Sequence, residues 1–334
     1  MARTRLKRRV VVVRFSVVIP VHNKVAHVLE TIQSVLAQTC SPCEIILVDD
    51  ASTDGSSELI ASVKDERIRI LKRSEPGPGG YAARNLAIKE AKGEWVAFLD
   101  ADDIWKSEHL EKVADVIEAA DKAVGVVFTG FEFVEPDGTI HRDLYSSQNA
   151  GRAPTRISVE SFLDIWLSSG ICPIWTGASV FRRDVLIDAG LFPAGRCRRG
   201  GDKDLWLRAI FLADAVAIHD VTSSYNRGAD NMVTRTVSTQ TRHCVCHSIE
   251  NMIEMEPREY RRKLRRLFNQ EIYNYVFQCW RGGAVEASTF QGFYVATNPG
   301  LFLKILLMWL VPGISILGPR LIVRKLRGTW NFRF

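Results

Sequence analysis

The sequence predicts an α/β fold: a mostly parallel central sheet flanked by helices, followed by a helical C-terminal extension. Three observations predict it. Short β-branched runs alternate with helically spaced apolar residues through the first hundred positions, the pattern of strand–helix–strand crossovers. Acidic residues directly follow two of those runs, at the strand ends where parallel sheets bind ligands. From about residue 238 to 280 the pattern turns helical and strongly basic, above all over Arg258–Arg266.

The elements follow in order. Phe15–Val21 is a buried strand stopped by a polar turn, and Val25, Val28, Leu29, Ile32, Val35 and Leu36 mark a helix. Glu44–Val48 is a second strand, closed by Asp49 and Asp50; Ser56–Val63 is a short helix and Ile68–Leu71 a third strand. Pro76–Gly80 is a loop, Tyr81–Ala91 a helix, and Glu94–Leu99 a fourth strand ending at Asp100. Val124–Val134 reads as a strand, residues 145–157 as loop, and 158–168 as a helix. Ala178–Phe181 and Asp204–Leu212 give strand and helix again.

Charge divides the chain. Its 334 residues hold 44 Lys and Arg against 38 Asp and Glu, a net of +6. Residues 1–14 carry six bases and no acid, and residues 297–334 do the same. The body between them is therefore acidic, with 32 bases against 38 acids. A nucleic-acid-binding body would carry its positive charge on the folded face, so no nucleic acid is expected as partner. Two basic ends suit an anionic membrane surface. Seven cysteines without regular spacing argue against a disulfide scaffold and for a reducing, cytoplasmic compartment. Val10–Val13 is too short an apolar run for a signal peptide.

Leu301–Gly318 is apolar with one charge, Lys304, and is broken by Pro312-Gly313. It predicts a segment lying in the membrane interface, with a docked core helix as the alternative. The organisation expected is a basic segment 1–14, a main domain 15–235, a helical extension 236–296 and an apolar, basic tail 297–334. Two cysteine patterns carry less. Cys40-x-x-Cys43 does not open a helix, and the ligand types in His243–His247 point to different helix faces.

Clustered carboxylates repel unless a cation sits between them. Asp100-x-Asp102 beyond an apolar strand suits a hard divalent ion, Mg2+ or Mn2+, bridging to substrate phosphates. That motif does not stand alone. Pro20-Val21-His22-Asn23, Leu47–Ser56, Gly79–Asn85 and Phe98–Asp103 occur in that order. Together they resemble glycosyltransferase family 2, inverting enzymes with the Rossmann-like GT-A fold. The likeness covers 15–105 closely and continues at Thr176–Arg183 and Gly201–Arg208.

The resemblance implies roles for individual residues. Pro20 and His22 would lie by the nucleotide base, with His22 where an aromatic ring is usual. Asp50 would accept an N–H from a uracil-like or thymine-like edge, which implies a UDP- or dTDP-linked donor. Arg84 would stand beside the nucleotide, Asp100 would touch the ribose, and Asp102 the metal ion. Asp103 would support them or cap a helix near 107. In Gly201-Asp202-Lys203-Asp204, Asp202 matches the base that deprotonates the acceptor, although Gly201 stands where the family has an acid. Asp204 is the alternative base or a helix cap. Trp175, Thr176 and Gly177 match the region under the acceptor sugar. No His follows Tyr225, so Arg227 is the nearby group able to neutralise phosphate. The implied activity is metal-dependent transfer of a sugar to a lipid-linked or surface glycan at the cytoplasmic membrane face. The alternative is a catalytically degenerate subunit that binds nucleotide or glycan in an assembly complex.

Overall fold

The computed structural model describes residues 13–197, 199–229, 242–281 and 285–310. Ten strands form one sheet: β1 Phe15–Val21, β2 Glu44–Asp50, β3 Ile68–Arg73, β4 Trp95–Phe98, β5 Ile104–Trp105, β6 Val124–Val134, β7 Ile140–Arg142, β8 Thr155–Ile157, β9 Ser179–Arg182 and β10 Asp214–Asn226. The helices are α1 Val28–Leu36, α2 Ser56–Ser62, α3 Tyr81–Glu90, α4 His109–Ala119, α5 Leu144–Gln148, α6 Val159–Ser169, α7 Arg183–Asp188, α8 Gly201–Ile210, α9 Cys244–Met255, α10 Arg258–Arg281 and α11 Pro299–Leu310.

The strand order is β3–β2–β1–β4–β9–β6–β10–β5. β3, β2, β1 and β4 run parallel. β9 runs antiparallel to both β4 and β6, and β6 pairs in parallel with β10. The expected parallel sheet is therefore realised in its first half and is mixed beyond it. The chain leaves β1 to one side for β2 and β3, then returns to its other side for β4. That reversal opens a crevice at the carboxyl ends of β1 and β4, where ligands bind in such sheets.

The described residues divide into two compact units. The first comprises the described residues of 1–158, 174–191 and 209–230, and the second those of 159–173, 192–208 and 231–334. No single cut near 235 separates them, because α6 and most of α8 belong with the C-terminal helices.

In the first unit, Phe15, Val17 and Ile19 of β1 and Ile45 and Leu47 of β2 are fully buried against Val28, Ile32 and Val35 of α1. Each such side chain contributes about 1.5–3 kcal/mol of transfer free energy. The loop expected over 145–157 contains α5 and β8 instead. Asp143 creates α5 by accepting the Ser146 N–H at its N-terminus. In the second unit, α10 runs 24 residues and packs on α6, α9 and α11. Cys197 and Cys244 form a disulfide there, so the cysteines build one crosslink rather than a scaffold; the other five are free. Cys244 is thereby unavailable to a metal site at His243–His247.

Candidate active site

The crevice of the first unit gathers the predicted nucleotide residues. Pro20 lies near the end of β1, and Asp50 ends β2. Asp50 is buried, lies opposite Arg73 in the β2–β3 register, and is ion-paired with it. Its second oxygen accepts the Gly77 N–H at 3.0 Å. A carboxylate has about four lone-pair positions, so Asp50 retains capacity for a further donor. The His22 ring is exposed, with Nδ1 2.8 Å from the main-chain oxygen of Asp50. A carbonyl only accepts, so Nδ1 carries the proton in this contact.

Arg84 extends from α3. It donates to the Gly79 carbonyl at 2.8 Å and is ion-paired with Asp100, just past β4. The approach is close. Gly80 has φ +65°, which favours glycine, and a Cβ there would lie 3.2 Å from the Arg84 guanidinium and 3.6 Å from Pro20. Asp102 meets the Lys24 ammonium at 2.7 Å. Burial pushes the Asp102 carboxyl up, and Asp100 adds to the shift against the pull of Lys24.

Asp103 is fully buried. One oxygen accepts the Asn226 N–H at 2.9 Å and the other has no hydrogen-bond partner. Burial, then the charges of Asp100 and Asp102, raise its carboxyl well above the usual range. It caps no helix: α4 begins at His109, with Glu108 at the capping position.

Among the described residues no group of three or more His, Cys, Asp or Glu is gathered as a resident metal would require. The donor chemistry at Asp102 nevertheless fits Mg2+ or Mn2+. It is a hard oxygen ligand, and it already holds a cationic group at contact distance. Such ions commonly bind through one or two carboxylates plus substrate phosphates.

Trp175 is half-buried, while Thr176 and Gly177 are buried beneath it. The Gly177 carbonyl accepts from Trp105 Nε1 at 2.7 Å and from the Ser223 hydroxyl at 2.8 Å. Thr176 and Gly177 are thus the frame that positions Trp175. Arg227 pairs with Glu135 at 2.7 Å. His219 bonds Thr155 at 3.0 Å, away from the carboxylates.

Asp202 and Asp204 lie in the second unit, in the first turn of α8. Asp202 is partly exposed and, among the described residues, makes no hydrogen bond or ion pair. Asp204 is buried, pairs with Arg208 at 2.6 Å and accepts from the Ser248 hydroxyl. It is an anchor between α8 and α9 rather than a free carboxylate. Between the two aspartates, Lys203 pairs with the fully buried Glu271 at 2.7 Å.

Sequence reasoning missed Lys24 and Arg73. Lys24 follows His22-Asn23 directly, whereas Arg73 is marked only by its β2–β3 register with Asp50, which the structure supplies.

The model of glycosyl transferase family 2 matches residues 16–190. The chain belongs to this family. It is 38% identical over 126 residues to a putative teichuronic acid biosynthesis glycosyltransferase, TuaG, of Bacillus subtilis, covering 37% of this chain and 49% of that protein. It is 42% identical over 90 residues to WfaP of Escherichia coli, a UDP-Glc:alpha-D-GlcNAc-diphosphoundecaprenol beta-1,3-glucosyltransferase, covering 27% and 36%. The chain spans half or less of the length of these curated relatives, and 18% of two Rickettsia proteins. The crystal structure of S. aureus TarS 1–349 superposes with a TM-score of 0.67 at 19% identity, covering 96% of this chain and 93% of that one. Its complex with UDP-GlcNAc gives 0.66 at 17% identity, over 87% and 81%. These likenesses establish the GT-A fold of the family member.

Proposed function

We propose that this chain transfers a sugar, with inversion, from a UDP- or dTDP-linked donor to a lipid-linked or surface-glycan acceptor. One observation carries the reading: three crevice carboxylates each hold a cationic side chain, Asp50 with Arg73, Asp100 with Arg84 and Asp102 with Lys24. Alternating charges of this kind suit a nucleoside diphosphate, whose base, ribose and phosphates need acceptors and cations in sequence. The UDP-GlcNAc bound to TarS supports a nucleotide-sugar donor, and the names of the B. subtilis and E. coli relatives support a glycan acceptor.

In this reading Asp50 accepts the base N–H, with Arg73 and Gly77 fixing its orientation. Asp100 accepts from the ribose, and Arg84 holds Asp100 in place. Asp102 is the residue that would hold a divalent ion, which would supply positive charge to the departing diphosphate. Asp202 takes the proton of the acceptor hydroxyl. The acceptor oxygen bonds to the anomeric carbon as the bond to the diphosphate breaks, and the diphosphate leaves with the electron pair.

Gly201 favours the second reading, a binding subunit without catalysis, because the family acid is missing there. The unpartnered Asp202 favours catalysis, since a base needs a free lone pair. Donor hydrolysis and transfer measured for Asp102→Ala and Asp202→Asn decide between them. The expected loss is about 100-fold or more for each. Full activity in either variant removes its assigned role, and a wild-type chain that binds UDP yet turns nothing over supports the subunit.

We place the protein peripherally at the cytoplasmic face of the membrane. No described helix is long and apolar enough to cross a bilayer. Support comes from α11, which exposes Leu303, Leu307, Trp309 and Leu310. The rest of the predicted segment, 311–318, lies outside the described residues.

A further inference from the structure

The basic run Arg258–Arg266 at the start of α10 has no role in the scheme above. Six of its nine residues are Lys or Arg, and Glu259 is its one acid. Two of the six bases are engaged within the fold. Arg261 donates to the Glu254 and Glu256 carbonyls, and Lys263 pairs with Glu160 and Asp164 of α6. The other four, Arg258, Arg262, Arg265 and Arg266, are exposed and make no ion pair or hydrogen bond among the described residues.

Helical spacing sets Arg258, Arg262 and Arg265 in one row, with Arg266 beside it and Glu259 off it. The row leads to a definite neighbour. Its next position is Asn269, which is buried, accepts the Tyr294 N–H at 2.8 Å and donates to the Tyr294 carbonyl at 2.9 Å. The Arg265 guanidinium lies 5.3 Å from the Tyr294 ring centre. Tyr294 leads through the short turn Val295–Thr297 into α11, which packs on α10. One side of α10 therefore carries the arginines first and the approach to α11 next. On α11, Leu303, Leu307 and Leu310 are exposed at the spacing of one helix face. All these residues belong to the second unit.

We propose that Arg258, Arg262, Arg265 and Arg266 bind the phosphates of anionic phospholipid headgroups, so that α10 and α11 together form a membrane-docking face of the second unit. A guanidinium keeps its charge at any physiological pH and meets phosphate oxygens through two parallel N–H donors. A soluble polyanion would satisfy the arginines and leave the leucines in water. An anionic lipid surface takes both, with phosphates at headgroup level and an apolar layer directly beneath. The proposal rests on the peripheral membrane placement above, and it adds to the basic ends a basic contact within the folded body.

Sedimentation of the full chain with vesicles tests it. Vesicles of phosphatidylcholine alone are compared with vesicles of phosphatidylcholine and phosphatidylglycerol in equal parts. The wild type is expected to prefer the anionic vesicles. Arg258→Gln, Arg262→Gln and Arg266→Gln combined should weaken that binding about 100-fold, or about fivefold for each charge removed. Lys at the same three positions should largely restore it. An unchanged unfolding temperature shows that the glutamine variant is folded, and the three single variants replace it if it is not. Anionic-vesicle binding unchanged by the glutamine substitutions overturns the proposal. If Leu303→Ser with Leu307→Ser then still releases the chain, the membrane placement stands without the arginines. A wild type that sediments with neither vesicle overturns the placement itself. Inorganic polyphosphate bound by the wild type and lost in the glutamine variant, with vesicle binding kept, gives the row to a soluble polyanion and also overturns the proposal.

Discussion

Each crevice carboxylate is held by one cation: Asp50 by Arg73 of β3, Asp100 by Arg84 of α3 and Asp102 by Lys24 of the loop after β1. The carboxylates Asp50, Asp100 and Asp102 stand at the ends of apolar runs, so their place follows from strand length alone. Their cations arrive from a loop, a helix and a neighbouring strand, and only register or tertiary contact pairs them. His109 was likewise unreadable, since nothing local marks a buried imidazole. It is fully buried, stacks on Trp105 with 4.2 Å between ring centres, and lies 2.8 Å from the Thr222 hydroxyl. Burial lowers its pKa from 6.5 to about 3. Between those values the unfolded chain binds a proton that the folded chain does not, so stability falls as pH drops through that window. Each pH unit well inside it costs about 1.4 kcal/mol. Urea unfolding at pH 7 and pH 5 should show a loss of about 2 kcal/mol from this group. In His109→Gln that part of the loss should vanish; an unchanged pH slope would show that other groups set the acid response.

At the scale of elements, β1, β2 and β4 were legible because burial on both faces demands unbroken apolar runs. α5, β7 and β8 were not. β7 is exposed throughout, and α5 depends on one capping carboxylate, so no periodic pattern announces either. The junction of α8 with α10 was also hidden. Burial works to raise the Glu271 carboxyl, yet Lys203 and His243 together bring it down to about 2. Glu271 is thus charged at every pH near neutral and holds the Lys203 ammonium in place. Glu271→Gln leaves that cation without its counter-charge, and should lower stability by about 3–5 kcal/mol, as breaking a buried pair from one side does. Chemical denaturation measures it, and a change below about 1 kcal/mol would mean that water screens the pair.

The whole molecule separates its charges. The crevice carboxylates belong to the acidic body, while twelve of the 44 bases sit in the two terminal segments without a single acid. Those termini lie largely outside the described residues, but α11 carries the exposed apolar face that the tail composition predicts. Leu303 and Leu307, one turn apart, are 58% and 53% exposed. Replacing both with Ser should release the chain from anionic vesicles in sedimentation by about tenfold or more, since each leucine inserted contributes about 1.5–3 kcal/mol. Ending the chain at residue 296 should do the same, and unchanged sedimentation of both would remove the membrane role of this segment. The central claim concerns the crevice. Calorimetric titration of UDP into the full chain, with and without Mn2+, tests it most directly. The account predicts binding that Mn2+ tightens, with the Mn2+ increment lost in Asp102→Ala. Absence of UDP binding under both conditions would contradict it.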